Sequence, residues 1–180
     1  MIQGKRVRLR APTRTDLPQF VAWLNDSEVI AGLLVSIPMS LEDEEAWFAG
    51  MLNRPLAEHP MVIEIQREEA WIAVGNCGFH NIDWRARAAE VGIFIGEKSL
   101  WNQGYGSEAM RLLLAHGFST LNLNRIALDV YETNPRAIRS YEKVGFVHEG
   151  RKRQAMFKDG KYFDILIMSV LRAEWKEDQD

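Results

Sequence analysis

The sequence predicts a mixed α/β domain: a twisted, mostly antiparallel central sheet with one parallel, splayed strand pair, flanked by helices. In the first half, short alternating apolar segments are separated by turn residues, which is typical of antiparallel strands. In the second half the pattern changes to helix, strand, helix, strand, strand, which predicts a parallel crossover. The chain of 180 residues contains no long Gly/Ser/Pro linker, so we expect one domain over residues 1–180.

The first half begins with a predicted strand at residues 5–10. Thr13 and Asp16 have the spacing of a capping box, so we expect a helix to open there and to end near Asn25. Ser40 precedes a second helix with an acidic first turn, which the helix dipole favours. The further predicted strands of this half are residues 61–66, 71–79 and 88–95.

The second half contains a long helical segment at residues 104–121 that is apolar on most sides, as expected for a helix packed against a sheet. Residues 125–131 have the apolar run of a central strand. Residues 146–157 and 162–171 are predicted to close the fold as a hairpin, with Asp159-Gly160 at its turn.

Residues 101–109 form the most informative segment, because they place two glycines between an apolar strand and an apolar helix. Gly104 and Gly106 allow the backbone to bend and to approach a ligand closely. The helix start that follows offers unpaired N–H groups with a partial positive charge. This geometry suits a pyrophosphate, but it occurs in several ligand classes and names no reaction by itself.

A second short helix is predicted after Asn134, which can cap it, and before Gly145, which suits the position just past its end. Ala137, Ile138 and Tyr141 recur at three- and four-residue steps, so they share the buried face. A phenol at that position can reach a ligand that lies against the sheet.

Together these segments closely resemble the GNAT superfamily of acyl-CoA-dependent N-acyltransferases, and within it the RimJ/RimL-like branch. The residues that carry the resemblance are Gly104, Tyr105, Gly106, Glu108, Ala109, Asn134, Ala137, Tyr141, Gly145 and Phe146. Residues 4–10 resemble the first strand of that branch and residues 159–164 its closing hairpin, so nearly the whole chain is covered. Trp101 departs from the pattern, because the phosphate loop of the superfamily often begins with Gln or Arg.

The resemblance implies acetyl-CoA as cosubstrate, with its pantetheine arm in the slot between the splayed strands and its pyrophosphate on residues 102–107. The implied binding residues are Ile93, Phe94, Ile95, Asn102, Gln103, Gly104, Tyr105, Gly106, Ser107, Asn134, Ala137 and Tyr141. Since Trp101 supplies no charge, backbone donors would carry more of the anion binding.

An amide-forming step requires a neutral amine, a donor to the oxyanion and stabilisation of the departing thiolate. We predict Tyr141 as the acid for the thiolate and a backbone N–H near Phe94 as the oxyanion donor. Glu90 is the predicted general base, since it lies upstream of the acyl position on its strand. The alternatives are a solvated or salt-bridged Glu90, or a water chain without a dominant base.

Composition excludes several classes of function. A formal net charge of −3 gives no overall attraction to nucleic acid. No apolar run approaches membrane-spanning length, and the N-terminus lacks the apolar core of a secretion signal, so we expect a cytoplasmic protein without a membrane partner. Cys77 is the only cysteine, and we predict that it is a packed side chain. The histidines lack the spacing of metal ligands, so no metal is expected. A homodimer is a possible assembly.

The acceptor is expected to be an amine such as a peptide N-terminus, a polyamine, an amino sugar or an antibiotic. Acids outnumber bases between residues 42 and 69, which could attract a cationic amine, although exposed charge runs are common. An apolar wall for the acceptor could come from Trp23, Trp47, Trp71 and Trp84, each of which could instead serve packing. His80 could also line the acceptor cleft.

Two other classes of protein fit parts of the sequence. Gly104, Gly106 and Ala109 satisfy a loose dinucleotide fingerprint with Asp129 following, but too little chain remains for a doubly wound half, which argues against an oxidoreductase. A non-catalytic acyl-CoA sensor or partner-binding domain would keep the same fold.

Overall fold

The computed structural model describes residues 1–33, 35 and 37–176. Its strands are β1 (Ile2–Gln3), β2 (Val7–Arg10), β3 (Met61–Arg67), β4 (Ala70–Asp83), β5 (Ala88–Ile95), β6 (Arg125–Tyr131), β7 (Val147–Lys158) and β8 (Lys161–Leu171). Its α-helices are α1 (Leu17–Leu24), α2 (Leu41–Met51), α3 (Tyr105–Ala115) and α4 (Pro135–Lys143). A π-helical turn, His116–Thr120, continues α3.

The strands form one eight-stranded sheet in the order β1-β2-β3-β4-β5-β6-β8-β7. Neighbouring strands are antiparallel except β5 and β6, which run parallel. That parallel pair extends only from Ala88↔Arg125 to Glu90↔Ala127, so the two strands are no longer paired beyond Glu90. The predicted fold class, including the splayed parallel pair, is confirmed.

Helices cover both faces of the sheet. Met110, Leu113 and Leu114 of α3 are fully buried in the larger apolar cluster, which also contains the odd-numbered β5 residues Ile93 and Ile95 at its edge. A second cluster joins α1 and α2 to the sheet through Phe20, Trp23, Phe48 and Met51, with Phe94 packed against it. Because side chains alternate between the faces of a strand, the two clusters lie on opposite sides of β5.

Helix starts lie where the sequence predicts them. The carboxylate of Asp16 accepts the N–H of Thr13 at 2.7 Å, and the hydroxyl of Ser40 accepts the N–H of Asp43 at 3.1 Å. The side chain of Asn134 likewise accepts the N–H of Ala137 at 3.1 Å. These bonds satisfy N–H groups that lack partners within their own helix.

The first strand and β4 differ from the prediction. Residues 5 and 6 belong to a turn, because the N–H of Gly4 donates to the carbonyl of Val7 at 2.8 Å and pairs β1 with β2. Strand β4 continues past residue 79 to Asp83, since His80 and Asp83 pair with β5 around an irregularity in register. Within the described residues, no helix has both the length and the apolar content needed to cross a membrane.

Candidate active site

The glycine-containing loop before α3 turns tightly and leaves donors free. Asn102 and Gly104 have left-handed backbones, with φ of 63° and 85°, which Asn and Gly adopt at low cost. The N–H of Glu108 bonds to the carbonyl of Gly104 at 3.0 Å. The preceding N–H groups, those of residues 105–107, therefore lie at the helix start without helical partners, where an anion is favoured.

Arg6 supports this loop from the side of β2. Its guanidinium donates to the carbonyl of Gln103 at 3.2 Å, pairs with Glu108 at 3.0 Å and lies 4.8 Å from the centre of the Tyr105 ring. The side chain of Gln103 donates to the carbonyl of Ser99 at 2.7 Å. The carbonyl of Gln103 is thus bonded to Arg6, and its side chain is bonded to Ser99.

A cavity of about 280 Å³ lies between the loop, the open edge of β5 and helix α4. Its lining includes every predicted cofactor-binding residue except Gln103, which stays a prediction. The loop, the β5 segment and Tyr141 are therefore brought to one cleft, as the sequence analysis predicted.

The open edge of β5 exposes alternate backbone groups. The N–H of Gly96 donates to Val74 on β4 at 2.8 Å, whereas the carbonyl of Ile95 accepts the indole N–H of Trp101 at 2.8 Å on the other side. Backbone groups two residues apart point the same way, so those of Ile93 face the slot with Ile95, and those of Phe94 face β4. Of the backbone N–H groups near Phe94, those of Ile93 and Ile95 therefore face the slot, and the Phe94 side chain packs against Trp23.

Helix α4 brings Tyr141 to the cleft. Its partly buried ring packs at 5.7 Å, centre to centre, against Phe146. Burial raises the pKa of the Tyr141 phenol to about 12. The hydroxyls of Ser107 and Ser140 lie 2.8 Å apart and join α3 to α4 across the cleft. The phenol is thus protonated at neutral pH and held beside the slot.

The outer edge of α4 adds positive charge to the same cleft. The guanidinium of Arg136 lies 3.6 Å from the centre of the Trp101 ring, and Arg139 and Lys143 also line the cavity. Burial lowers the pKa of Arg136, and in the described part of the chain no carboxylate pairs with it. Sequence analysis missed this residue, because an arginine in the first turn of a helix has no local feature that indicates a contact 35 positions away.

Glu90 lies in a different cavity, of about 250 Å³. Its carboxylate is 3.3 Å from Nε2 of His80 and accepts the side-chain N–H of Asn81 at 3.2 Å. The structure does not bring Glu90 and Tyr141 to one cavity, and it gives Glu90 the partners expected of a paired strand residue. His80 lies on the same strand face, next to Glu90.

The four tryptophans do not form the proposed acceptor wall. Trp71 stands near the start of β4 under the Arg8 guanidinium, while Trp84 follows the other end of that strand. Trp23 is buried against Phe20 and Phe94, and Trp47 packs, partly buried, against the same cluster. These tryptophans lie in different parts of the fold, and each is explained by its own packing or strand position.

Three of the eight acids between residues 42 and 69 have polar partners within the fold. Glu64 is buried and pairs with Arg8 and Arg10, and Glu58 accepts the N–H of Ile82 at 2.9 Å. Asp43 caps α2. The other exposed acids of the segment are Glu42, Glu45, Glu68 and Glu69, so it keeps negative charge on its surface.

Cys77 is a packed residue, as predicted. It is 1% exposed, and burial raises the pKa of its thiol to about 12. Among the residues that the structure describes, no three His, Cys, Asp or Glu side chains are grouped so that they could hold a metal ion.

The fold is thus a mixed α/β sheet whose parallel strand pair opens beside a helix start where an anion is favoured. Residues 6–147 match the family described as Acetyltransferase (GNAT) domain, so the chain belongs to the GNAT acetyltransferase family.

Individual relatives agree with this family. The N-acetyltransferase p20 of Bacillus licheniformis is 35% identical over 102 residues, which is 57% of either chain and thus less than two thirds of that relative. The spermidine N(1)-acetyltransferase of Vibrio cholerae is 29% identical over 172 residues, 96% of each chain. A crystal structure of the Vibrio cholerae spermidine N-acetyltransferase in complex with CoA and spermine has a TM-score of 0.86 at 26% identity, covering 95% of this chain and 98% of that one.

Proposed function

We propose that this protein is an acetyl-CoA-dependent N-acetyltransferase of the RimJ/RimL-like branch, which acylates a primary amine by direct attack in a ternary complex. The observation that carries the proposal is that Tyr141, the open backbone of β5 and the anion loop border one cleft. The relatives support N-acetylation as the reaction class. The branch rests on the first strand and closing hairpin described above.

The residues of the cleft suit the parts of acetyl-CoA. The free N–H groups at the start of α3 are donors for a pyrophosphate, and Arg136 adds a positive charge beside them. Slot-facing backbone groups of Ile93 and Ile95 can extend the sheet toward the amides of the pantetheine arm. Bound there, acetyl-CoA supplies an activated acyl carbon as a thioester.

The proposed reaction exchanges one bond for another at that carbon. The amine nitrogen forms a C–N bond, the C–S bond breaks, and the nitrogen loses a proton to a base or to water. A slot-facing N–H of Ile93 or Ile95 donates to the oxyanion that develops on the carbonyl. Fixed backbone donors are effective here because they need no reorganisation when the charge appears.

Tyr141 acts as a hydrogen-bond donor to the departing sulfur. Its phenol has a pKa of about 12, whereas a cysteine-like thiol has one of about 8.5, so the proton stays on the oxygen. Donation to a thiolate still lowers the energy of the charge that forms there. The sequence predicted Tyr141 as an acid that protonates the thiolate. We propose instead that its phenol stabilises the thiolate by a hydrogen bond and keeps its proton.

Glu90 stays the proposed base and would act through water, since its cavity is separate from that of Tyr141. Removing a proton is easiest for a peptide N-terminus, whose ordinary pKa is about 7.7–8.0. The Vibrio cholerae relative, solved with CoA and spermine, supports an amine acceptor without identifying the one used here.

The decisive experiment measures release of the CoA thiol from acetyl-CoA over a panel of peptides, polyamines, amino sugars and aminoglycosides. We expect turnover with one acceptor class, reduced in Tyr141→Phe and unchanged in Tyr162→Phe. Tyr162 is 64% exposed on β8, so it controls for the loss of a phenol elsewhere. Equal turnover in wild type and Tyr141→Phe would remove Tyr141 from the mechanism.

The sensor alternative predicts a different result in the same samples. Acetyl-CoA would bind, measured by calorimetry, yet none of the acceptors would be acylated. Absence of acetyl-CoA binding would contradict both the enzyme and the sensor.

A further inference from the structure

We propose that Asp129 is the carboxylate that receives a positively charged group of the acceptor, and that the ammonium of Lys152 occupies this carboxylate until the acceptor displaces it. The inference rests on the proposed function, because it assigns the acceptor side of the same site. It makes the pair Asp129 and Lys152 a determinant of specificity.

Asp129 lies nearer to the acyl position than Glu90 does. Strands β5 and β6 run parallel, and Glu90 is paired with Ala127. Asp129 lies two residues further along β6, about 6.6 Å beyond Ala127 in the direction of the Ile93–Ile95 end of the slot.

Asp129 also points to the open face of the sheet. Its neighbours Leu128 and Val130 are buried in the cluster formed with α3, so the side chain of Asp129 projects from the opposite face. On β5, two residues after Glu90, Gly92 has no side chain to fill the space on this face. A Cβ placed there would have only the His80 ring within 4 Å, at 3.8 Å. The face between Asp129 and β5 is therefore open to a small acceptor.

The cleft that contains Tyr141 and the cavity that contains Glu90 meet at Asp129. This residue lines both the cleft that contains Tyr141 and the cavity that contains Glu90. Tyr141 borders only the first, and Glu90 only the second. A group bound to Asp129 thus lies at the boundary between the cofactor cleft and the face from which an acceptor approaches.

Lys152 presents to Asp129 the chemical group that an amine acceptor carries. Its Nζ lies 2.6 Å from Oδ2 of Asp129, reaching from β7 past β8 to β6. The two side chains are 49% and 45% exposed. A pair this exposed is weakly held, because water screens both charges, so a soluble ammonium can compete for the carboxylate.

The negative charge of Asp129 suits it to bind an ammonium group of the acceptor and not to act as the general base. A carboxylate beside an ammonium stabilises the protonated nitrogen, whereas attack on the thioester needs a neutral one. Asp129 therefore favours acceptors that carry a second positive charge next to the reacting amine.

The test titrates 1,4-diaminobutane into the CoA-loaded protein by calorimetry, with butylamine as the one-charge comparison. Lys152→Gln should tighten diamine binding about two- to fivefold, because the internal competitor is gone. Asp129→Asn should weaken it about three- to tenfold, and Lys152→Gln should have no further effect in that background. Butylamine should respond less to each change than the diamine.

Matched controls separate the local pair from overall charge. Lys161→Gln and Asp159→Asn make the same charge changes at the tip of the β7–β8 hairpin and should leave diamine binding unchanged. Thermal melts of every variant check folding.

Unchanged or weaker diamine binding in folded Lys152→Gln would overturn the inference. Unchanged diamine binding in Asp129→Asn, or no diamine binding in any variant, would also overturn it. Titration of acetyl-CoA into the protein without CoA tests the proposed function separately. If acetyl-CoA does not bind, diamine titrations of the same variants without CoA still test the role of Asp129.

Discussion

The guanidinium of Arg136 lies 3.6 Å from the centre of the Trp101 ring, where it joins the start of α4 to the anion loop. The same indole donates to the carbonyl of Ile95, so Trp101 contacts both walls of the cleft. Trp101 has no charge of its own, yet it holds a cation at the position where the family often has Gln or Arg. The cleft therefore carries a positive charge beside Trp101, supplied by the neighbouring helix α4.

We predict that Arg136→Gln weakens acetyl-CoA binding about three- to tenfold, since both the charge and the stacking contact are lost. Arg136→Lys should recover part of the affinity, because lysine keeps the charge but lacks the planar group that stacks. Calorimetric titration with acetyl-CoA measures both. Arg153→Gln, on β7, is the control for net charge and should bind normally. Equal affinity in all three variants would show that Arg136 does not face the phosphates.

A second prediction concerns Tyr141. Tyr141→Phe should lower kcat about 10²-fold, the usual effect of removing one donor to a developing anion, with little change in acetyl-CoA affinity. With its pKa raised to about 12, the phenol stays protonated as pH rises through the normal phenol range. The wild-type rate should therefore show no decline near pH 10 from loss of this proton. The measurement is the pH profile of kcat for both proteins. A fall in the wild-type rate near pH 10 that Tyr141→Phe does not show would contradict a phenol that stays protonated there.

Local sequence signals predicted most of the fold. Strands β5 and β6 were predicted with their observed bounds, because their apolar runs end at turn residues. The caps at Ser40 and Asn134 were visible, since a cap depends on residues three positions apart. The cleft followed from combining the glycine loop with the position of Tyr141.

What the sequence could not predict depends on contacts between distant segments. The direction of the Phe94 N–H is set by the register of β5 against β4, and a single strand pattern does not contain that register. The pairing of Glu90 with His80 depends on the same register. The contact between Ser107 and Ser140 joins two helices that are 33 positions apart.

A third prediction concerns the support of the anion loop. The carboxylate of Glu108 accepts the N–H groups of Arg6 and Val7 and the Arg6 guanidinium, and its side chain is only 16% exposed. Glu108→Gln should lower the free energy of unfolding by about 1–3 kcal/mol, because amide replacement leaves donors poorly satisfied. Urea denaturation measures this. Glu142→Gln, at an exposed site on α4, should change stability by less than about 0.5 kcal/mol. A stable Glu108→Gln would show that the Arg6 contacts are dispensable.

A fourth prediction concerns Cys77, which lies opposite Ile93 in the register of β4 and β5, next to the proposed acyl position. A nucleophilic cysteine must form its thiolate, and burial raises the pKa of this thiol to about 12. We therefore expect Ellman's reagent to leave the native protein unmodified at pH 8 and to react fully in urea. Cys77→Ala should keep kcat within about twofold while losing roughly 1 kcal/mol of stability from the small cavity. Rapid modification of the native protein, or a folded Cys77→Ala without turnover, would instead indicate a covalent acyl-enzyme and contradict direct transfer.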